Sequence, residues 1–271
     1  MNTTEQVRVR FDGVGVEFPT EQGAMRVLDH VSFDLHQGEF VSIIGPSGCG
    51  KSTLMNLLAG FLQPTQGRVL LDGREVLGPG PDRGVIFQEY GVFPWLTVRQ
   101  NIEFGMTLAA NKVPTAQRAQ TADKYMRLMG LSDFSQHFPK HLSGGMRQRL
   151  AIARAYAVNP EFLLMDEPFG ALDAQTRSAM QDLLLQVLQT EKKTVMLITH
   201  SVDEAIYLSG RIIVVSARPA QIRADIRVPF PYPRPLGIAD TPEFAQLRSH
   251  IRELVMQEYA AQIKQTVRLS D

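Results

Sequence analysis

The sequence predicts an α/β fold built around a mostly parallel sheet. Short, continuously apolar segments, typical of buried strands, alternate with segments whose apolar residues recur at helical spacing. Two of the apolar segments run directly into a glycine-rich or acidic loop, and residues 89–160 between them are mostly helical in character. Because strands separated by helices favour parallel pairing, we expect an α/β core with an inserted helical subdomain.

The composition is that of a globular chain with a sizeable core. The 271 residues suffice for one large domain or one domain with an insertion, and 44% of them are hydrophobic. The formal net charge is zero, so no overall field favours nucleic acid. The single cysteine, Cys49, excludes an internal disulfide framework. No apolar run approaches the roughly 18 residues that span a bilayer, so we expect any membrane role to come through a partner.

The N-terminal elements come first in this pattern. Val7–Phe11 and Val31–Leu35 alternate apolar and polar residues, which predicts half-buried strands and an N-terminal antiparallel β subdomain. Phe40–Ile44 is apolar except for Ser42 and predicts a buried strand. Ser52–Ala59 then predicts a helix with one leucine-rich face, ended by the glycine that follows.

The α/β pattern continues on both sides of the helical segment. A helix is predicted near Ala174–Gln189, because its apolar residues share one face. The residues of that face are Met180, Leu183, Leu184, Val187 and Leu188. The further predicted strands are Gly67–Gly73, Gly84–Phe87, Glu161–Met165, Thr194–Thr199 and Arg211–Ser216.

The C-terminal part differs from the rest. Pro229–Pro235 is proline-rich and predicts a stiff linker. Thr241 as cap and Pro242 at the first helical position predict a terminal helix. We therefore divide the chain into a domain at residues 5–220 and a linker with a helical extension at residues 221–271.

A phosphate-binding loop follows the strand Phe40–Ile44. It fits the pattern G-x-x-x-x-G-K-[ST] and lies between a strand and a helix, which is the context that the motif requires. Its backbone N–H groups can converge on phosphate oxygens at the helix N-terminus. Lys51 would contact the β- and γ-phosphates of ATP, and Ser52 would ligate Mg²⁺. The loop and the helix start comprise Gly45, Pro46, Ser47, Gly48, Cys49, Gly50, Lys51, Ser52 and Thr53.

Two adjacent carboxylates follow the buried strand Phe162–Met165. This arrangement suits a division of labour in hydrolysis: Asp166 would orient the hydration of Mg²⁺, and Glu167 would polarise the attacking water. A serine-glycine helix start lies shortly before them. Ser143 can cap a helix whose N-terminus attracts a phosphate.

Together these motifs resemble those of ABC-transporter ATPase subunits, over about residues 5–220. The resemblance implies a P-loop NTPase core of the RecA-like type. It identifies Gln88 with the Q-loop glutamine that senses Mg²⁺, and Ala171-Leu172-Asp173 with the D-loop. His200 corresponds to the switch histidine at the γ-phosphate, and Phe18 to the aromatic residue stacked on adenine. Ser143, Gly144, Gly145 and Gln148 belong to the family signature, with Met146 where glutamine is common.

The resemblance also implies partners. In this family the signature contacts the ATP of the opposite subunit, so we expect a homodimer that closes on two ATP molecules and opens after hydrolysis. We expect separate membrane permease subunits, a periplasmic solute-binding protein acting indirectly, and a peripheral location at the cytoplasmic face of the inner membrane. Nucleic acid is not an expected partner. Trp95 follows the Q-loop, where the family docks its permease; core packing is the alternative for this residue.

The segments around residues 78–98 and 166–173 resemble the nitrate, sulfonate and taurine importer branch, which predicts uptake of a small anion. Two alternatives stay open. One is the ATPase of an ABC exporter or lipid-release complex, and the other is an ABC protein acting on nucleic acid or ribosomes. For the C-terminal helix we expect packing or dimer support, with regulation as the alternative.

Overall fold

The computed structural model describes residues 6–21, 23–88, 90–170, 172–191, 193–235 and 237–268. The side chains of residues 187–191 and 265–268 lie outside the description. The chain forms two compact units. The first comprises residues 1–79 and 194–271, and the second comprises residues 80–193.

The strands and helices are numbered in chain order. The described strands are β1 (Val7–Thr20), β2 (Gly23–His36), β3 (Phe40–Ile44), β4 (Gln66–Leu71), β5 (Arg74–Glu75), β6 (Arg83–Ile86), β7 (Phe162–Asp166), β8 (Thr194–Ile198), β9 (Arg211–Val215) and β10 (Ile222–Arg227). The described α-helices are α1 (Lys51–Ala59), α2 (Val98–Thr107), α3 (Thr115–Leu128), α4 (Gly144–Ala157), α5 (Ala174–Glu191), α6 (Val202–Leu208) and α7 (Pro242–Arg268).

The first unit contains an antiparallel sheet with the strand order β2-β1-β4-β5. Its main part is the long β1–β2 hairpin, whose strands extend well beyond the two short segments that the sequence predicted. The rings of Phe11 and Phe33 stack across the hairpin with their centroids 4.4 Å apart. This contact explains the apolar side of the alternating pattern, and the predicted N-terminal antiparallel subdomain is confirmed.

A second sheet of the first unit carries the strand order β10-β9-β3-β8. The central strand β3 pairs in parallel with both β8 and β9, and every residue of β3 and β8 is buried. The apolar run Phe40–Ile44 is thus a central strand, as predicted. The sequence analysis missed β10, which pairs antiparallel to β9. It also missed the short helix α6.

The C-terminal helix α7 packs on this sheet. Thr241 accepts a hydrogen bond from the N–H of Phe244 at 3.3 Å, so the predicted cap is confirmed. Phe244 and Ile251 are buried in one apolar cluster with α6 and the strands β3 and β9. The proline-rich segment before α7 is tied down by Arg234, which is buried and donates hydrogen bonds to carbonyl oxygens at the end of α6.

The second unit pairs β6 with β7 in parallel and adds the helices α2 to α5. The predicted helical character of this region is borne out by α2, α3 and α4. Helix α2 begins with a reciprocal capping arrangement between Thr97 and Gln100. On α5, Met180 and Leu184 are buried as predicted, whereas the side chains of Val187 and Leu188 lie outside the described residues.

Candidate functional site

The phosphate loop and His200 leave one sheet at the same edge. Residues 45–50 connect β3 to α1, and Ile43 on β3 lies opposite Ile198 on the parallel strand β8. Because the carboxyl ends of parallel strands meet at one edge, the loop after β3 and the exposed His200 after β8 emerge side by side. The first unit thus brings together two of the predicted site regions.

Close packing requires glycine within the loop. A Cβ atom on Gly45 would lie 2.6 Å from the carbonyl oxygen of Val215, closer than side chains tolerate. Gly50, which begins α1, has φ +119°, and a Cβ there would lie 2.9 Å from Leu28. L side chains rarely adopt that backbone conformation. The glycines therefore allow the loop to lie directly against β2 and β9.

Lys51 lies folded back into its own loop. Its ammonium group donates hydrogen bonds to the carbonyl oxygens of Gly45 at 2.9 Å and Pro46 at 2.8 Å, and the residue is buried. Ser52 beside it is exposed, and Thr53 is half-buried. Within the described residues no side chain caps the start of α1. The helix N-terminus and the lysine together give the loop a positive potential that favours an anion.

Cys49 is buried under the loop, with its side chain 1% exposed. Burial raises the pKa of its thiol, an effect that the nearby Lys51 charge partly opposes. The thiol is therefore protonated at neutral pH and is a small packing group. Cys49 can therefore contribute to phosphate binding only through its backbone N–H group.

The loop has two further contacts, which the sequence analysis missed. Arg218, after β9, donates to the carbonyl oxygen of Gly48 at 2.6 and 3.2 Å through two of its nitrogens. Gln262, near the end of α7, donates to the carbonyl oxygen of Ser47 at 3.1 Å. These partners lie 170 and 215 positions away in sequence, and no local pattern signals such long-range contacts.

Phe18, the predicted adenine-stacking residue, lies on β1 and is half-buried. It lies opposite Met25 on β2. The Met25 sulfur accepts a contact from the guanidinium of Arg218 at 3.0 Å. The same arginine thus touches the phosphate loop and the strand partner of Phe18.

The second unit gathers Gln88 and the two carboxylates at one sheet edge. Ile86 on β6 lies opposite Met165 on the parallel strand β7. Gln88 is exposed, and Asp166 and Glu167 are half-buried. Glu167 has φ +43°, an uncommon conformation for a residue with a side chain and one that clusters at functional sites.

The predicted magnesium ligands form a suitable donor set. Ser52, Gln88 and Asp166 offer hydroxyl, amide and carboxylate oxygens, which hard cations such as Mg²⁺ prefer. Within the described residues no group of three or more His, Cys, Asp or Glu side chains could hold a metal ion by itself.

The signature segment begins α4. Ser143 is exposed and caps the helix, accepting a hydrogen bond from the N–H of Met146 at 3.2 Å. Gly144 and Gly145 form its first turn, and a Cβ on Gly145 would lie 2.7 Å from a methyl group of Thr176 on α5. Gln148 faces inward, and its buried amide atoms have no hydrogen-bond partner within the described residues.

Asp173 lies exposed just before α5. Its carboxylate accepts a hydrogen bond from the backbone N–H of Thr176 at 2.9 Å, and this bond lowers the pKa of Asp173. The residue therefore caps α5 in its ionised form. Of the predicted D-loop, Ala171 lies outside the described residues.

The loop between β6 and α2 of the second unit carries an aromatic surface. Trp95 is 68% exposed, so core packing, the alternative for this residue, is excluded. Its ring is 5.4 Å from that of Phe93, over which the guanidinium of Arg154 lies at 4.1 Å. Asn101 fixes the loop by donating to the carbonyls of Phe93 and Leu96. Among the described helices, none combines the length and apolar character needed to cross a membrane.

Comparison with known proteins places the chain in a family. Residues 28–170 match the family described as ABC transporter. An ATP-binding protein of Brucella abortus (strain 2308) is 53% identical over 90% of this chain and 92% of the relative. The nitrate import ATP-binding protein NrtD of Synechococcus elongatus is 42% identical over 93% of each chain. The aliphatic sulfonates import ATP-binding protein SsuB of Bacillus cereus is 42% identical over 93% of this chain and 95% of the relative.

A solved structure supports the same assignment. The dimeric post-hydrolysis state of the ATP-binding cassette MJ0796, bound to ADP and Pi, is 31% identical, with a TM-score of 0.72 over 81% of this chain and 98% of that one. This similarity confirms the predicted α/β P-loop fold. The chain therefore belongs to the ABC transporter family and is one of its ATP-hydrolysing cassettes.

Proposed function

We propose that this chain powers the uptake of a small anion, such as nitrate, a sulfonate or taurine, through a separate permease. The observation that carries the nucleotide part of this proposal is the buried Lys51 ammonium within its glycine loop, beside His200 at the same sheet edge. The relatives NrtD and SsuB, named for nitrate and sulfonate import, support the importer part. The solute meets the permease and a periplasmic binding protein, so no residue of this chain selects it.

In the proposed reaction ATP is the substrate. The loop of residues 45–53 and Lys51 bind its phosphates, and Phe18 stacks on its adenine. Glu167 polarises the attacking water, and His200 contacts the γ-phosphate. Bound Mg²⁺ would neutralise charge on the β- and γ-phosphates, and the residues that would hold it are Ser52, Gln88 and Asp166. The strained backbone at Glu167 suits a side chain held in one orientation.

The working unit in this proposal is a dimer of two copies. Each ATP lies between the phosphate loop of one copy and the α4 start of the other, where Ser143, Gly144 and Gly145 present backbone N–H groups. The exposed Asp173 supports this interface, whereas the predicted part of Gln148 in binding ATP is not kept, because its side chain is buried within the chain. Shifting the ratio of closed to open dimer from 1:99 to 99:1 requires that ATP bind the closed state about 5.5 kcal/mol more favourably than the open state. Charge-assisted contacts to a triphosphate can supply this difference. The dimer of the similar cassette MJ0796 supports this arrangement.

The proposed cassette covers residues 5–220, with a helical subdomain at about residues 89–160, and residues 221–271 form the extension. The permease docks on the aromatic surface that contains Trp95 and the 42% exposed Phe87, since exposed apolar groups in a loop suit a partner helix. The chain would thus work as a peripheral protein at the cytoplasmic face of the inner membrane.

Substitution of Glu167 tests the proposal. We expect Glu167→Gln to bind ATP normally, hydrolyse it at least about 100-fold more slowly, and accumulate as a closed dimer, because only the proton acceptor is lost. Gel filtration with and without ATP measures the dimer, and phosphate release measures turnover. Glu75→Gln, on the exposed edge strand β5, is the matched control. Normal hydrolysis by Glu167→Gln would exclude Glu167 as the base.

A further inference from the structure

The C-terminal helix reaches back to the phosphate loop of its own chain. Gln262 lies in the sixth turn of α7 and donates to the carbonyl oxygen of Ser47 at 3.1 Å. Arg218 donates to the next carbonyl, that of Gly48, at 2.6 and 3.2 Å. Two consecutive carbonyls of the loop are therefore held by side chains that lie outside every motif of the sequence analysis.

The helix is fastened to the segment that carries Arg218. Glu258, one turn before Gln262, accepts a hydrogen bond from the N–H of Ala217 at 3.1 Å. Its other carboxylate oxygen pairs with Arg223 at 3.2 Å, and its side chain is only 13% exposed. Arg218 and Gln262 thus approach the loop as parts of one connected structure.

The geometry of the peptide bond gives these contacts a consequence for ligand binding. In a planar trans peptide the C=O and the following N–H point in opposite directions. A donor that holds the carbonyl of Ser47 therefore fixes the direction of the Gly48 N–H. Phosphate binding in such loops depends on N–H groups that converge. Gly48 has φ +72° and no side chain to restrict it, so its orientation depends on these external contacts.

The two preceding carbonyls of the loop are held by a residue of the same motif. Lys51 binds the carbonyls of Gly45 and Pro46. This lysine is the one expected to contact phosphate, so its bonds to the loop must change when nucleotide enters. Arg218 and Gln262 hold the following carbonyls without such a conflict. Arg218 also brings a positive charge to the loop, where the substrate carries negative charge.

We propose that Arg218 and Gln262 are positioning residues of the ATP site, which hold the carbonyls of Ser47 and Gly48 and so fix the phosphate-binding N–H groups. This inference rests on the proposed function. It assigns a task to the C-terminal extension: α7 sets the nucleotide affinity of its own cassette. Because ATP and ADP share the α- and β-phosphates, we expect the affinity for both nucleotides to change in the same direction.

The test measures nucleotide affinity and turnover in the full chain. We expect Gln262→Ala to weaken the binding of both ATP and ADP about fivefold, and Arg218→Ala to weaken it about tenfold or more, since charged donors form the stronger bonds. The KM for ATP should rise accordingly, and the melting temperature without nucleotide should change little. Arg218→Lys should recover only part of the affinity, because an ammonium cannot donate two hydrogen bonds to one oxygen in the planar geometry of a guanidinium.

The controls use residues of α7 away from the loop. Gln257→Ala removes a glutamine that contacts Glu253 on the exposed face, and Arg252→Ala removes an arginine that pairs with Asp203. Both should bind nucleotide like the unmodified chain.

Three other outcomes would overturn the inference or the proposed function on which it rests. A lower melting temperature with unchanged nucleotide affinity in Gln262→Ala and Arg218→Lys would reduce these residues to structural ones. Unchanged affinity in those variants, while Lys51→Ala loses binding, would reject the inference and leave the proposed function intact. Retained binding in Lys51→Ala as well would reject both. If Arg218→Ala does not fold, Gln262→Ala and Arg218→Lys still test whether these residues position the phosphate loop.

Discussion

The ammonium of Lys51 and the carbonyl oxygen of Gly45 are joined by a hydrogen bond of 2.9 Å. The charged end of the lysine is thereby held within the phosphate loop, where its second hydrogen bond goes to the carbonyl oxygen of Pro46 at 2.8 Å. Nucleotide binding at this loop is therefore an exchange of carbonyl partners for phosphate oxygens.

Replacement of this lysine should abolish most of the nucleotide affinity. We expect Lys51→Ala to weaken ATP binding by about 10- to 100-fold, because a charge-assisted hydrogen bond contributes roughly 1.5–3 kcal/mol. Titration with a fluorescent ATP analogue measures the change. Lys193→Ala is the matched control, since Lys193 contacts the side chain of Asn159 on an exposed surface. Equal affinity in Lys51→Ala and the control would contradict the assignment of the loop.

A methyl group at Gly45 should distort the same loop. In Gly45→Ala the added carbon would lie 2.6 Å from the Val215 carbonyl oxygen, so the backbone must shift. We expect a loss of about 1–3 kcal/mol of stability, as for other overpacked sites, together with weaker ATP binding. Urea unfolding measures the first and nucleotide titration the second. Gly210→Ala is the control, because a Cβ there meets nothing within 4 Å. A Gly45→Ala variant as stable as this control would be inconsistent with the packing described.

A comparison of two helix-capping serines separates the contribution of Ser143 to stability from its predicted role in dimer formation. Ser143 accepts a hydrogen bond from the Met146 N–H at 3.2 Å, and Ser201 accepts one from the Glu204 N–H at 3.3 Å. We expect Ser143→Ala and Ser201→Ala each to lose about 1 kcal/mol of stability. Ser143→Ala alone should lower ATP-dependent dimer formation, measured by light scattering in the Glu167→Gln background. Equal dimer formation in both variants would remove Ser143 from the interface.

The buried thiol of Cys49 should react slowly. Burial raises its pKa, so the reactive thiolate is scarce in the folded chain at neutral pH. The folded-state pKa lies above the unfolded one. The thiol therefore favours folding below its ordinary pKa, and this contribution is lost as the pH rises through the raised value.

We expect alkylation of the native chain at pH 8 to be at least about tenfold slower than that of the chain in denaturant, with both rates followed by mass spectrometry. Cys49→Ala, which has no thiol, measures the background reaction of other groups with the alkylating reagent. Native and denatured rates that coincide would show that the thiol is accessible.

Much of the fold follows from local patterns. Phe40–Ile44 is apolar except for Ser42 because β3 is covered on both faces, and the start of α7 follows from Thr241 and Pro242. Strand β10 was missed although Ile222, Ala224 and Ile226 alternate with exposed residues. The proline-rich segment Pro229–Pro235, which predicts a linker, follows it closely.

The candidate site was predictable where its residues share a motif. Gly45–Thr53 and His200 belong to segments next to strands, and parallel pairing brings those strand ends together. The contacts of Arg218 and Gln262 with the loop depend on how distant segments pack, and a hydrogen bond across 215 positions leaves no local periodicity. The roles of Glu167 and of Ser143 at the start of α4 are predictions that the variants above test, and the roles of Gln88 and Asp173 stay predictions.

Helix α6 links His200, the predicted γ-phosphate contact, with the C-terminal extension of the first unit. Ser201, next to His200, caps one end of this helix. Arg234 donates to the carbonyls of Tyr207 at 3.0 Å and Ser209 at 2.6 Å at the other end. Seven helical residues form a stiff rod about 10 Å long. If His200 contacts the γ-phosphate as proposed, a displacement of His200 after hydrolysis would be carried along this helix to the segment that leads into α7.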